Sequence, residues 1–402
     1  MHTPRANIPG RPTPLPLVLA LTWLSSLSTV AFMLGIFFVA QRQYGFSRTD
    51  NLLLGLVLGA TYVPGAMLIG PALRRLAERV PWISTRAVLA VIMVLLAAAA
   101  AAPWFFKGHV LAVWLAAPAF NAMNGALWPI VESYLSGARR ADALRKATGW
   151  FNIVWSSAGV AAGFVIAPIL EWSPLAVPAF AALVQVLSCF LLFPLTPEPP
   201  RHLTDAHPHP PVYERLLAAC RWLLPTSYVL SYCLAPMLPD LVKTLDVPSA
   251  WQAPLAWTWQ ASRFAVFALF FAWGGWHGRW GAIRAAAAII LAGFALSVLA
   301  SSPAILALGL ILFGAGMGAV YSAAIYYAME VGAAEVEAGG VHESLIGVGY
   351  TLGPLGGLAA GAVSTSVGVS PAQATAALLL IVVAAGLAGA WAWSGKVTQS
   401  NR

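Results

Sequence analysis

Runs of about twenty apolar residues, separated by short polar loops, recur along almost this entire sequence and constrain it more than any other feature. An α-helix rises 1.5 Å per residue, so about twenty apolar residues cross the hydrocarbon core of a bilayer. Such runs lie at 17–40, 51–73, 86–105, 109–136, 148–170 and 174–195. A polar stretch rich in Pro and His follows, with a short amphipathic piece at 212–221, and six more runs lie at 222–241, 251–273, 282–301, 303–329, 341–367 and 371–394. Composition agrees: only 9% of the 402 residues are charged and 60% are apolar, where a soluble domain has about a quarter charged. Too little polar surface exists to cover a soluble globule, which excludes an ordinary soluble enzyme, a disordered regulator and a disulfide scaffold. The expected fold is an all-α membrane protein of twelve transmembrane helices, with residues 1–195 and 222–402 as two six-helix bundles and 196–221 as a linker.

Charge placement sets the expected orientation. The net charge of +8 is spread in short basic clusters between apolar runs without any nucleic-acid-binding motif, so no nucleic-acid partner is expected. Lys and Arg gather on the cytoplasmic side of membrane proteins. With the N-terminus inside, seventeen of the 22 Lys and Arg fall in inner loops and termini, including Arg5, Arg140, Arg201, Lys396 and Arg402. Arg42, Arg48, Lys107 and Lys243 fall outside, and Arg263 lies within a run. Both termini and the linker are therefore expected in the cytoplasm, in the inner membrane of the cell. The first run is too long for a signal-peptide core and is expected to stay in the mature protein. Cys189, Cys220 and Cys233 have no metal-ligand spacing. His202, His207 and His209 read as a solvated connector rather than a metal tract.

The halves echo each other. Residues 125–134 (GALWPIVESY) and 318–327 (GAVYSAAIYY) share Gly-Ala-apolar-aromatic and a closing Tyr at an offset of 193, and at that offset Gly163 falls on Gly356. A parallel repeat of six-helix units places a solute path at the interface between units, near mid-membrane.

With these features the chain resembles the major facilitator superfamily over essentially its whole length. The loop after the second run, GPALRRLAER at 70–79, is similar to that family's G-x-x-x-D-R-x-G-R-R element. It keeps Gly70, Arg75 and Arg79, and carries Arg74, Ala77 and Glu78 where the family has Asp, Gly and Arg. The stretch 128–135 (WPIVESYL) is similar to a bacterial branch of the family. Gly353-Pro354-Leu355-Gly356-Gly357 resembles an element of proton-driven drug antiporters, displaced here from the fifth run to the eleventh. The resemblance implies a proton-coupled secondary transporter of a small solute, working as a monomer in the lipid bilayer.

A charge inside a span is expensive and is a functional candidate by default. Arg263 lies mid-run. At 100° per residue Gln252, Trp259 and Arg263 share a helical face, and Asn121, Trp128 and Glu132 repeat the same steps in the fourth run. Each helix thus offers an amide, an indole and a charge on one stripe, with Gln260 and Asn124 beside them as further solute-binding candidates. Arg263 is either an anchor for an anionic or polar group of the solute, or a structural residue that holds helices together through an internal ion pair or a set of backbone-carbonyl contacts. Glu132 reads as a gate closing on Arg139, Arg140, Arg74, Arg75 or Arg79, or as a proton carrier. Glu343 belongs to the corresponding gate in the second half, with helix capping as the simpler reading. Only Trp128 and Trp259 among the many aromatics are placed in the cavity, the remainder reading as packing or interfacial belts. No phosphate loop, dinucleotide fingerprint or metalloprotease helix is present, so neither a cofactor nor an enzymatic activity is expected. A receptor that has kept the fold without transport is the alternative.

Overall fold

The computed structural model describes residues 11–139, 141–200, 209–331 and 336–400; Arg5, Arg140, Arg201, His202, His207 and Arg402 lie outside them. Among the described residues the chain is helical throughout: α1 (Leu15–Tyr44), α2 (Arg48–Arg79), α3 (Thr85–Phe105), α4 (Leu111–Ser136), α5 (Ala141–Trp172), α6 (Ala176–Cys189), α7 (Val212–Leu234), α8 (Leu238–Thr244), α9 (Ser249–Ala256), α10 (Thr258–Ala272), α11 (Trp280–Val298), α12 (Pro303–Val331), α13 (Val336–Val367) and α14 (Pro371–Ser400). Local chemistry sets several boundaries. Ser47 opens α2 with a reciprocal cap, its hydroxyl accepting from the Asp50 amide while the Asp50 carboxylate accepts from the Ser47 amide. Ser84 caps α3 in the same position.

Seven of these helices, α1, α2, α3, α5, α11, α12 and α13, are long and apolar enough to cross a membrane. The sequence predicts twelve continuous spans, and the helices depart from that pattern in two places. The eighth apolar run is broken at Trp257, which ends α9 and begins α10. Pro254 inside α9 lacks the amide that would bond one turn back, and the Trp257 amide is shared between the Ala253 and Pro254 carbonyls. The seventh run begins earlier than expected: α7 starts at Val212, so the amphipathic piece is part of that helix rather than of a connector.

Packing repeats along the chain. Counting apolar runs in order, α1 packs on α5 and α6 as α7 packs on α13 and α14; α2 packs on α4 as α10 packs on α12; and α3 packs on α4 as α11 packs on α12. The close contact of α3 with α6 has only a thin counterpart between α11 and α14. The most extensive contacts between early and late helices are α2 with α13 and α5 with α10. The sequence repeat marks equivalent close approaches. A Cβ on Gly125 would lie 2.4 Å from the Tyr62 carbonyl oxygen on α2, and one on Gly318 would lie 3.1 Å from that of Arg263 on α10. The second repeat position differs, since Gly163 abuts Trp257 while Gly356 faces only one distant Leu378 methyl.

Candidate solute cavity

One cavity sits where these contacts converge, about 750 Å3 counting the space that opens to solvent. Its walls come from α1, α2, α4 and α5 on one side and α7, α10, α12 and α13 on the other. Those are equivalent sets under the packing repeat.

Arg263 is the central cation and is 3% exposed. The break at Trp257 starts α10 afresh, which puts Trp259, Gln260 and Arg263 on its first turns facing the cavity. The guanidinium lies 4.4 Å from the Trp155 ring centroid and 4.8 Å from that of Trp259, a geometry that stabilises a desolvated cation. Its Nη2 donates to Gln260 Oε1 and its Nη1 faces the Met317 sulfur at 4.0 Å, while Nε has no partner. No carboxylate among the described residues is within ion-pair distance of it. The expectation of an internal ion pair is therefore not met.

On the facing wall α4 presents Asn124, Trp128 and Glu132. Trp128 Nε1 and the Thr29 hydroxyl both donate to Asn124 Oδ1 at 3.1 Å. Asn124 Nδ2 in turn donates to Asn121 Oδ1 at 3.3 Å, and Asn121 Nδ2 to the Leu58 carbonyl at 2.7 Å. Asn121 is thus fully buried behind the wall, tying α4 to α2 rather than meeting solute.

Glu343 completes the charged set. It lies two turns inside α13, not in its first turn, so it does not cap that helix. Its carboxylate accepts from the Tyr62 hydroxyl of α2, joining an early helix to a late one. Around this bond the rings of Tyr62, Tyr228, Tyr232 and Tyr350 pack together, with Tyr350 3.8 Å from Tyr232 and 4.7 Å from Tyr62.

Besides Asn121, four expected site residues and one expected gate partner lie elsewhere. Gln252 is on α9, beyond the helix break, where its side-chain oxygen accepts from Arg42 at 3.0 Å. Arg74, Arg75 and Arg79 are exposed at the far end of α2 and do not reach the wall that carries Glu132. Arg139 donates to the carbonyls of Thr13, Tyr134 and Leu135, closing the end of α4 instead of pairing with Glu132. Sequence reasoning also missed Tyr62, Trp155, Tyr228, Tyr232, Tyr321 and Tyr350 as cavity residues. Their mid-run depth was the available signal, because an interfacial belt sits at the ends of spans. Tyr228 and Tyr232, four apart on α7, share a face.

Comparison with known proteins agrees with this architecture. The family model described as Major Facilitator Superfamily matches residues 18–354. No curated protein sequence matches this one. Among solved structures, the human organic anion transporter MFSD10 (TETRAN) superposes with a TM-score of 0.63 at 16% identity, covering 92% of this chain and 99% of that one. A bacterial homologue of the human lysosomal transporter Spinster, inward-facing and unoccupied, gives 0.62 at 14% identity, covering 96% and 97%. An auto-inhibited peptide transporter of the POT family gives 0.64 at 13% identity, covering 96% and 97%. At these identities the likeness is one of fold.

Proposed function

This chain belongs to the major facilitator superfamily, and from that premise we propose that it is a secondary active transporter carrying a small solute with an anionic or polar group. It is a multi-pass membrane protein, and the twelve apolar runs form two six-helix bundles that rock about the central cavity. The repeat in helix packing supports that layout. The basic loops support cytoplasmic termini in an inner membrane, and the chain acts as a monomer.

The observation that carries this reading is Arg263, a buried guanidinium on the cavity wall with no carboxylate partner among the described residues. A desolvated cation left without a counter-ion is costly. A solute anion arriving in the cavity supplies the missing partner, and Arg is suited to bind it with two parallel donors. Alternating access follows if solute and cavity charges favour whichever arrangement of the bundles buries both.

Glu132 and Glu343 supply proton coupling. Both line the cavity, one from each half of the chain. A buried carboxyl exchanges its proton when the cavity opens to water on one side. For Glu343 that exchange also decides whether Tyr62 donates to a carboxylate or to a neutral acid, and so alters the tie between α2 and α13.

A thermal-shift screen of the purified protein over sugars, organic acids, amino acids and cationic dyes identifies the solute class, because a ligand raises stability by mass action. Counterflow of the stabilising compound in proteoliposomes then tests transport. Exchange in the wild type and its loss in Arg263→Gln are expected; saturable binding without counterflow contradicts a transporter and identifies a receptor. Glu132→Gln is expected to lose its response to an imposed pH gradient, and a retained response assigns the proton elsewhere.

A further inference from the structure

We infer that the solute is an aromatic monoanion, a planar ring bearing one carboxylate; this rests on the reading of Arg263 as the solute anchor and narrows it. Three features of the cavity act together. The first is the state of the guanidinium. Trp155 and Trp259 hold its planar surface, leaving its edge donors for a ligand. Nη1 faces a thioether, a weak acceptor, and Nε meets nothing, while the Tyr228 hydroxyl stands beside the guanidinium. The Nε of a cation that is 3% exposed therefore awaits an oxygen acceptor, and a carboxylate on that edge bonds Nε together with the neighbouring Nη2.

The second feature is the lining next to that cation. Trp155 lies 5.5 Å from Tyr321 in edge-to-face geometry, and Tyr232 lies 3.8 Å from Tyr350. Nine of the twenty lining residues are aromatic. Rings present π-faces and polarised edges that favour a flat ring over a saturated one of equal size. The third feature is the sign of the remaining charge. Glu132 and Glu343 stand on the same lining and Arg263 is the one cation on it, so a second carboxylate on the solute has no second cation to receive it and meets like charge whenever either acid is ionised. One anionic group is accepted and two are refused.

Isothermal titration of the full-length protein in nanodiscs tests this with four probes: benzoate, its saturated counterpart cyclohexanecarboxylate, the uncharged benzamide, and the dianion terephthalate. Benzoate is expected to bind about tenfold or more tighter than each of the others, which is about 1.4 kcal/mol. Arg263→Gln is expected to reduce benzoate binding to the level of benzamide, with an unchanged elution profile as the check on folding. The wild-type series stands without the variant. Equal binding of benzoate and cyclohexanecarboxylate overturns the aromatic assignment, and equal binding of terephthalate overturns the charge assignment. Counterflow separates the two claims: benzoate that binds selectively without exchanging contradicts transport and leaves the ligand class intact. Exchange of an aliphatic acid or a dianion in preference to benzoate does the reverse.

Discussion

Where α2 meets α13, backbone lies almost against backbone; where α5 meets α10, side chains fill the gap. In the first seam a Cβ on Gly59 would stand 2.1 Å from the Tyr350 carbonyl oxygen. In the second, a Cβ on Gly159 would make ordinary contact with the Gln260 side chain at 3.4 Å. The first seam carries the Tyr62–Glu343 bond, and the second carries the Arg263–Trp155 contact. The second is also bounded by polar ties near both ends of α5. Arg145 pairs with Glu330 of α12 at 3.0 Å, and Arg42 joins Glu171 of α5 to Gln252 of α9. Close backbone packing resists separation, whereas side-chain contacts can exchange partners. In the proposed transport cycle α2/α13 serves as the pivot and α5/α10 as the seam that responds to cargo.

The largest effect expected from that contrast comes from adding one methyl group to each seam. Gly59→Ala forces two backbones apart and should cost roughly 2–3 kcal/mol, read as a drop in the melting temperature of the purified protein. Gly159→Ala should cost little or stabilise slightly, because Ala favours helix by about 1 kcal/mol over Gly. Equal losses at the two glycines would erase the distinction between the seams.

Next in size is the bond across the pivot. Tyr62→Phe removes a donor to a buried acid and should cost about 1–3 kcal/mol. Glu343→Gln keeps an acceptor for Tyr62 and should melt closer to wild type, while its transport loses pH dependence. A larger stability loss for Glu343→Gln than for Tyr62→Phe would contradict the role given to that bond.

Smaller still is the Arg145–Glu330 pair. Arg145 is about half exposed, its side chain 46% accessible, and exposed pairs contribute about 0.2–1 kcal/mol. A double-mutant cycle with Arg145→Ala and Glu330→Ala should therefore give at most about 1 kcal/mol of coupling, falling with added salt. Coupling well above that would make this tie a structural clamp.

The smallest expected effect lies at His277, in the loop after α10, stacked on Tyr326 at 4.1 Å. Burial, and then the nearby Arg145, hold its pKa below the ordinary 6.5, while Glu330 opposes them. The folded chain therefore binds fewer protons here than the unfolded chain between the depressed value and 6.5, so stability rises with pH across that window and is level above it. His277→Phe should flatten that part of a melting-temperature profile and leave transport unchanged. A profile with the same slope would place the titration elsewhere.

How far the sequence reached follows the same contrast. Apolar run length and the repeat at 125–134 and 318–327 made the helical architecture readable, because both are local properties. Arg263, Trp259, Gln260, Asn124, Trp128, Glu132 and Glu343 all line the cavity, since a polar group at mid-depth has few other places to go. Gln252 failed because a helical wheel assumes an unbroken helix, and the break at Trp257 cancels its phase with Arg263. Arg74, Arg75 and Arg79 stand at the exposed end of α2, off the cavity lining, because sequence position says nothing about reach. The tyrosine cluster stayed hidden because Tyr suits both a membrane interface and a packed interior, and only the meeting of α2, α7 and α13 brings those rings together.

The central claim is that one cavity between the halves opens alternately to the two sides of the membrane. Thr29 lines that cavity and is only partly buried, and the chain's three native cysteines can be replaced by Ser. Thr29→Cys in that background should react with a membrane-impermeant thiol reagent in both right-side-out and inverted vesicles, with labelling slowed from either side by a bound solute. Reaction from one side alone, whatever the solute and the pH, would contradict alternating access.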